Sequence, residues 1–575
     1  MSYDLLEEKW IPVRCKSGAR RFIAPWQIAE TDDAPVDIDT GRPDFDCAGI
    51  QFLIGLLQTA FTPPDEESWR SLHDEPPTAV ELREWLAPLR GKFDLLGDGP
   101  RFMQDSALPS AHAAAAKIAG APAAETPSGK KKKAASLETK SIGGLLIDAP
   151  GENTLKFNKD HFVKRTPELA VSCAGAAWLL LTLQSSSPSG GAGHRTSMRG
   201  GGPLSTWILG DNLWTTVWRN VVDRVTWRNV PGDQSDATSA AALPWLGPVR
   251  VSTDEGSQTQ PAHIAPLHHY WGMPRRLWLI PGAADGECAI FEGAPGPYIS
   301  ELLTANYGFD YKGAFAHPLT PYRSDDAGSE PPSPIKGNRN ALTYNQWPAL
   351  VLGAASGGAR TTTAALNVRR WRQMNLDPQA AIAVAGYDMD NMKPLGWCHA
   401  VMPALTASGA AEAGLHHAAL ALVAAAEYTA KEFAVAVRAS LVRKGDQRYD
   451  NFSQKDEAAR IRDRFWSATA GPFYTTLRAL RDAITAGHEV PDDPIQAALR
   501  TAWCQTLHAA GLALFDEASQ LLGQWEAADI RRIAEARKWL LWHTKPDGDA
   551  MLVHVGLKEP DLEGKPKGKR AKGAK

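Results

Sequence analysis

Cysteine is sparse and unpatterned in this sequence. The six cysteines, Cys15, Cys47, Cys173, Cys288, Cys398 and Cys504, are scattered over 575 residues, and none is spaced as CxxC. That excludes a zinc ribbon and a dense disulfide framework, and it fits a reducing cytoplasm. Long apolar runs are also missing. The longest, Ala174 to Leu183, falls well short of the roughly 20 residues that span a bilayer. The N-terminus, MSYDLLEEKWIPV, is charged and has no apolar signal core, so a cytoplasmic protein is expected. No charge of one sign dominates: the formal net charge is −3, so any contact with nucleic acid must come from local basic patches. The catalytic signatures HExxH, GxSxG and GxxxxGK[ST] are absent, and no carboxylate cluster has metal spacing. Nothing assembles a nucleophile, a base and an orienting group. The chain is expected to be no enzyme and to carry no cofactor and no metal.

Glycine, arginine and tryptophan are where the sequence is informative. With 43% hydrophobic and 22% charged residues the chain reads as soluble and globular, long enough for several domains. Its 20 tryptophans serve either core or base stacking. The organising stretch is SSSPSGGAGHRTSMRGGGP, Ser185 to Pro203. It holds two glycine clusters, Gly190, Gly191 and Gly193, then Gly200, Gly201 and Gly202, with His194, Arg195 and Arg199 between them. A helix-like run, Cys173 to Gln184, precedes it and a strand-like run, Pro203 to Gly210, follows. Backbone without Cβ atoms, beside arginine, suits a phosphate or a groove of nucleic acid. A flexible surface loop fits the same composition. GGAG does not follow a strand in the way a dinucleotide-binding loop does.

Residues 1 to about 40 read as short strands, 46 to 62 as a buried helix and 66 to 95 as one or two amphipathic helices. Residues 107 to 140, rich in Ala, Pro and Ser and carrying Lys130 to Lys133, read as a mobile loop, whose lysines either approach a phosphate backbone or are merely solvated. Asn153 to Cys173 interleaves Phe157 and Phe162 with Lys156, Lys159, Lys164 and Arg165, a pattern for nucleic acid or for an ordinary strand edge. LNVRRWRQM, Leu366 to Met374, sets three arginines around Trp371, for an RNA or protein contact or for a solvated helix face. The pairs His268–His269 and His416–His417 read as structural, because neighbours in sequence point apart. From Ser408 on, four helical segments with short connections predict an antiparallel four-helix bundle. Ser453 is the expected N-cap of the second of them, and the Gly471–Pro472 pair is expected to break or kink it. The fold class is therefore α+β: a large mixed α/β domain, residues 1–404, then a four-helix bundle, 405–550, then a basic disordered tail, 551–575.

In order along the chain, WIPV (Trp10 to Val13), RFMQ (Arg101 to Gln104), RGGGP (Arg199 to Pro203), AHPLTPY (Ala316 to Tyr322) and GYDMDNMK (Gly386 to Lys393) resemble the CasA family. That family is the large subunit of the type I-E CRISPR surveillance complex called Cascade. The resemblance implies a subunit at the 5′ handle of the CRISPR RNA that reads the protospacer-adjacent motif of double-stranded DNA from the minor groove and starts strand opening. The other Cascade subunits, backbone and small, and a helicase–nuclease recruited after target binding, are its implied partners. A glycine loop facing the groove maps onto Ser189, Gly190, Gly191 and Ala192, with Gly193 and Arg195 beside it. A wedge maps onto Asn391, with Asp390 and Met392 beside it. A lysine finger maps onto Lys312, or by a gapless match onto Asn306. A loop holding the RNA end maps near Phe157 and Asn158. Asn391 stands where the best-known member carries Gln, one methylene longer.

Two other classes of function remain open from the residues. One is a nucleotide-dependent enzyme using Gly190 to Gly193 as a phosphate cradle. The other is a scaffold that binds RNA and subunits without touching DNA.

Overall fold

The apolar run before the glycine stretch folds as the helix Cys173–Ser186, whose residues 173–184 are all buried. Ser172 starts it by accepting a hydrogen bond from the Gly175 N–H at 3.2 Å. A helix apolar on every side needs apolar neighbours all round. One of them is Pro43–Ala60, also buried on nearly every side, which packs directly against it. The two approach closely because residue 49 is glycine: a Cβ there would stand 2.4 Å from the Trp178 ring. Trp178 in turn lies 5.1 Å from Trp10 and donates from its indole to the Trp10 carbonyl. The WIPV motif thus belongs to the packing beneath these helices. Several of the tryptophans, Trp10, Trp69, Trp178, Trp214, Trp218, Trp245, Trp271, Trp347, Trp371 and Trp503, are fully buried, so core rather than base stacking is their use.

This computed structural model describes every residue except 1, 120–136, 151, 161–168, 189, 192, 233–236, 255, 283–286, 293, 295–296, 326–327, 329, 339–341, 354, 357–359, 408, 442–455, 521–526 and 560–575. The chain forms two compact units, Met1–Leu342 with Ala349–Leu405, and Thr343–Pro348 with Thr406–Lys575.

The first unit is mixed α/β. Strands Arg20–Ile23, Ile11–Cys15 and Pro35–Ile38 form an antiparallel sheet in that order. A second sheet has Tyr298–Ala305 at its centre, paired with Leu137–Ser141, Arg276–Pro281 and Val171–Ser172. A third runs Lys393–Pro403, Ala381–Asp390, Ser205–Ile208, and its long hairpin pairs with Ser205–Ile208 only through residues 382–385. The rest of the hairpin runs on beyond that partner.

Two expectations are corrected here. The 107–140 segment is not a mobile loop at its ends: Leu108–Ala119 is a helix, and Leu137–Ser141 pairs residue for residue with Glu301–Ala305. Its alanines favour helix, and Leu108 is buried with Leu303 and Ala305. Lys130 to Lys133 lie outside the described residues. Of the arginines around Trp371, Arg369 is exposed and Arg372 half-buried, as a solvated helix face would have them, but Arg370 is buried. The helix Leu366–Met374 buries Trp371, and Arg370 bonds Asp223 at 2.7 Å and Glu66 at 2.8 Å. The paired histidines His268 and His269 are buried, and burial holds their pKa values down to about 3 and about 4. They are neutral packing groups.

In the second unit Ala410–Leu441 packs against Asp456–Thr485, Pro494–Gln520, Ala527–His543 and the short helix Asp549–His554. The Gly471–Pro472 pair does not break the helix: Asp456–Thr485 continues through it. Phe465, Thr469, Phe473 and Leu477 are buried on both sides of the pair. Phe473 stacks on Tyr344 at 4.3 Å, and the Tyr344 hydroxyl meets Thr469 Oγ1 at 2.8 Å. Tertiary packing outweighs one lost backbone donor. The proposed cap, Ser453, lies outside the described residues. Helix also continues past 550, as far as His554, so the disordered tail cannot begin at 551. Among the described residues no helix is long and apolar enough to cross a membrane.

Candidate nucleic-acid interface

The glycine stretch leaves the end of the Cys173–Ser186 helix and is pinched into a ring. Ser187 Oγ donates to the Leu183 carbonyl at 2.6 Å, the Ser197 N–H donates to the Ser187 carbonyl at 3.2 Å, and Ser197 Oγ donates to the Gly200 carbonyl at 2.6 Å. Residues 188–196 lie within the ring. Of these, Ser189 and Ala192 lie outside the described residues. Gly190 is crowded: a Cβ there would stand 2.2 Å from His194 Cβ. Gly191 is exposed, and a Cβ there would meet nothing within 4 Å. Gly193 has φ +84°, and a Cβ would stand 2.8 Å from Asn306 Cβ and 3.0 Å from the Tyr307 ring. Both facts require glycine. The Tyr307 N–H closes this contact by donating to the Gly193 carbonyl at 2.8 Å.

The two arginines of the stretch are held by other segments, Arg195 half-buried and Arg199 fully so. Arg195 donates to Ser252 Oγ at 2.8 Å and to the Ser252 carbonyl at 2.6 Å, pairs with Asp310 at 3.2 Å and lies over the Tyr307 ring. Arg199 is buried and bonds Ser205 Oγ at 2.9 Å, Thr320 Oγ1 at 3.0 Å, Gln51 Oε1 at 2.6 Å and the Ser185 carbonyl at 3.3 Å. Burial lowers its pKa, and its charge adds to burial in keeping His317 neutral. These bonds explain why RGGGP and AHPLTPY occur together: one guanidinium ties the end of the glycine stretch, the helix Pro43–Ala60 and Thr320 into a single joint.

The second glycine cluster lies against the hairpin. Gly202 has φ +66°, and a Cβ there would stand 2.4 Å from the Tyr387 carbonyl oxygen and 2.8 Å from Met389 Cγ. The hairpin tip is a two-residue turn, Asn391–Met392, between the paired Asp390 and Lys393. Asn391 has φ +54°, a left-handed conformation that asparagine tolerates better than most residues. Asp390, Asn391 and Met392 are all exposed, Met392 by 52%. The Asn391 amide donates only to Asp390 Oδ1, at 3.2 Å, among the bonds seen for it. Gly200 to Gly202 therefore join the ring to the base of the hairpin whose tip is Asn391.

Both positions considered for a lysine finger border the ring. Asn306 abuts Gly193. Lys312 is 66% exposed and stands 3.9 Å from Asp310, the carboxylate that also pairs with Arg195. Phe157 is 60% exposed after the short helix Glu152–Lys156, with Lys156 Nζ 5.9 Å and Lys159 Nζ 5.4 Å from its ring centre. Asn158 beside it has φ +49°. An exposed aromatic ring beside two cations suits a base and its phosphates. Among the described residues no group of three His, Cys, Asp or Glu side chains could hold a metal ion.

Sequence reasoning missed two cations here. Arg275 supports the ring from below, donating to the Pro188 carbonyl at 2.7 Å, and burial holds its pKa down to about 10. Lys336 is exposed and lies over Gly200, its Cε 3.5 Å from where a Cβ would stand. The bridge pairings Pro203–Lys336 and Gly337–Asp388 place it between the ring and the hairpin. The motif PIKG carried that signal, but it sits in a proline-rich connection that reads as linker.

The fold that carries the glycine ring and the hairpin is that of CRISPR-associated proteins. The family model of CRISPR-associated protein Cse1 matches residues 4–514. The chain belongs to the Cse1 family. Its fold is similar to that of Cse1 from Acidimicrobium ferrooxidans, with TM-score 0.64 and 17% identity over 95% of this chain and 98% of that one. It is similar to Thermobifida fusca Cse1, with TM-score 0.63 and 16% identity over 97% and 98%. It is also similar to a chain of a CRISPR RNA-guided surveillance complex, with TM-score 0.62 and 14% identity over 94% and 99%.

Proposed function

We propose that this chain is the non-catalytic large subunit of a type I-E CRISPR Cascade complex, and that it reads the protospacer-adjacent motif from the minor groove and starts strand opening for guide RNA pairing. The observation that carries the reading is the continuity of exposed Gly191, the Gly200–Gly202 joint and the exposed Asn391 tip. Membership of the Cse1 family supports it. The minor groove separates A·T from G·C but little more, so the reader tolerates several motif sequences. Backbone at Gly191 reaches the groove floor without a side chain in the way. Asn391 and Met392 enter the adjoining base step, whose unstacking costs about a few kcal/mol and is offset by new backbone contacts. Guide pairing then replaces DNA pairing at near balance, so no covalent chemistry is needed.

Lys336 contacts a phosphate beside the ring, and Lys312 or Asn306 stands at the groove edge. Phe157 and Asn158 hold the 5′ handle of the CRISPR RNA. The second unit, as a four-helix bundle, meets the small subunits, and the assembled complex recruits the helicase–nuclease. The nucleotide-cradle alternative gains nothing from the fold: the ring follows a helix and leads into a strand, and Gly190 is already filled by His194.

The test is the assembled complex with its guide RNA, in gel shifts on a duplex library with a randomised motif, followed by permanganate footprinting. Motif-dependent shifts are expected, and Asn391→Ala is expected to weaken footprinted opening by about tenfold or more while complex assembly stays intact. Equal loss of opening and assembly removes the wedge assignment. Shifts that ignore the motif would favour the RNA-only scaffold.

A further inference from the structure

Tyr387 is the last buried residue of its strand before the Asn391 tip. Contacts converge on it from four sides. Its carbonyl oxygen is where Gly202 and Gly337 both come close; a Cβ on either would stand 2.4 Å away. Its ring meets the edge of the cross-strand Trp397 at 4.9 Å. Its hydroxyl donates to Asp44 Oδ2 at 2.5 Å. Asp44 is buried in the first turn of the helix Pro43–Ala60. The same carboxylate accepts from Arg42 Nε at 3.2 Å and Nη2 at 3.0 Å, and that guanidinium also reaches Asp148 at 3.1 Å. Burial first, then the Asp44 charge, raises the Tyr387 pKa above its ordinary value. The phenol is therefore an O–H donor throughout the working pH range.

Beyond Tyr387 the supports thin: Asp388 still bridges to Gly337 and Met389 still lies beside Gly202, but the side-chain anchors to Trp397 and Asp44 end. Asp388 and Met389 are half-buried, Asp390 is exposed, and a bulge falls between Asp388 and Met389. At about 3.3 Å per strand residue the tip stands roughly 13 Å past Tyr387, so about 10° of slack there moves Asn391 by about 2 Å. A displacement of that order is enough to spoil a group that must act at one place.

We propose that Tyr387, with Asp44 behind it, is the positioning residue of the strand-opening hairpin. The hydroxyl bond fixes the angle at which Asn391 is presented to the duplex, and Arg42 holds the Asp44 carboxylate in place. The inference rests on the reading of Asn391 given above and deepens it. Tyr387 touches no DNA in this account; it acts through Asn391.

The test uses the assembled complex and two duplexes, one fully paired and one carrying a preformed bubble beside the motif. Tyr387→Phe keeps the ring against Trp397 and removes only the hydroxyl. Opening of the paired duplex, followed by 2-aminopurine fluorescence next to the motif, is expected to slow about tenfold, the scale of one lost hydrogen bond to a charged group. Binding to the bubble is expected to stay within about twofold, because the wedge has nothing left to open. Tyr387→Phe combined with Asn391→Ala is expected to be no slower than Asn391→Ala alone. Asp44→Asn, a weaker acceptor with the same shape, is expected to fall between wild type and Tyr387→Phe. A wild-type opening rate for Tyr387→Phe beside a slow Asn391→Ala overturns the positioning role alone. Equal losses on both duplexes, or additive effects in the double variant, also overturn it in favour of a general structural role. A wild-type rate for Asn391→Ala removes the wedge reading, and this inference with it.

Discussion

Gly190 and Gly191 are neighbours in the chain with opposite surroundings, and that difference separates folding from recognition. A side chain at 190 must displace His194 Cβ, whereas one at 191 enters open space. Gly191→Val is therefore expected to leave thermal stability within about 0.5 kcal/mol of wild type while abolishing motif-dependent gel shifts. Gly190→Ala is expected to cost about 1–3 kcal/mol by overpacking, read from the denaturation midpoint. A Gly191→Val complex that still discriminates motifs would take the ring out of the groove. Lys336→Ala is expected to weaken binding to all duplexes alike and to reduce the slope of log K against log salt by about 1, the signature of one lost phosphate contact. A change confined to certain motifs would instead make Lys336 a base reader. The glycines were legible because backbone freedom is a local property of the residues, whereas the position of Asn391 came from the resemblance alone. The fate of the arginines was not legible. Arg195 and Arg199 look like groove-facing cations in sequence, but their partners, Ser252, Asp310, Gln51 and Thr320, come from distant segments.

At the scale of elements, burial decides what propensity leaves open. The strand Ala381–Asp390 is buried on both faces from 382 to 387, and Asp390–Lys393 closes it as a tight turn. Leu108–Ala119 went unread as a helix because its alanines sit in a stretch whose overall composition resembles a linker. Pro472 marked a break that packing removes. That last case makes a prediction: Tyr344, which stacks on Phe473 and bonds Thr469, holds the helix across its proline. Tyr344→Ala is expected to destabilise the second unit by about 3–4 kcal/mol, in the range of an aromatic deleted from a core. Chemical denaturation followed by far-UV circular dichroism checks this. A loss below about 1 kcal/mol would mean that the helix passes Pro472 without help.

For the whole molecule, the N-terminus of Pro43–Ala60 concentrates charge that the fold tolerates at a cost. Burial pushes the Asp46 carboxyl up to about 6, with Asp39 and Asp44 adding to the rise, while hydrogen bonds from Thr40 oppose it. A carboxyl raised in the folded state binds its proton more tightly there than in the unfolded chain. Its contribution is favourable at low pH and is lost as pH rises through about 6. Asp46→Asn keeps an acceptor for both Thr40 bonds and removes the charge. It is expected to gain on the order of 2 kcal/mol at pH 8 and about half of that at pH 5; thermal melts at the two pH values decide it, and an equal gain at both would rule out a titration effect. The ring has a consequence of another kind. Ser187 and Ser197 meet across its mouth, while Pro188, Gly193 and Arg195 inside are tied to Arg275, Tyr307 and Asp310. The loop is thus anchored from within as well as at its ends, and Gly191 is the position that varies without cost to the scaffold.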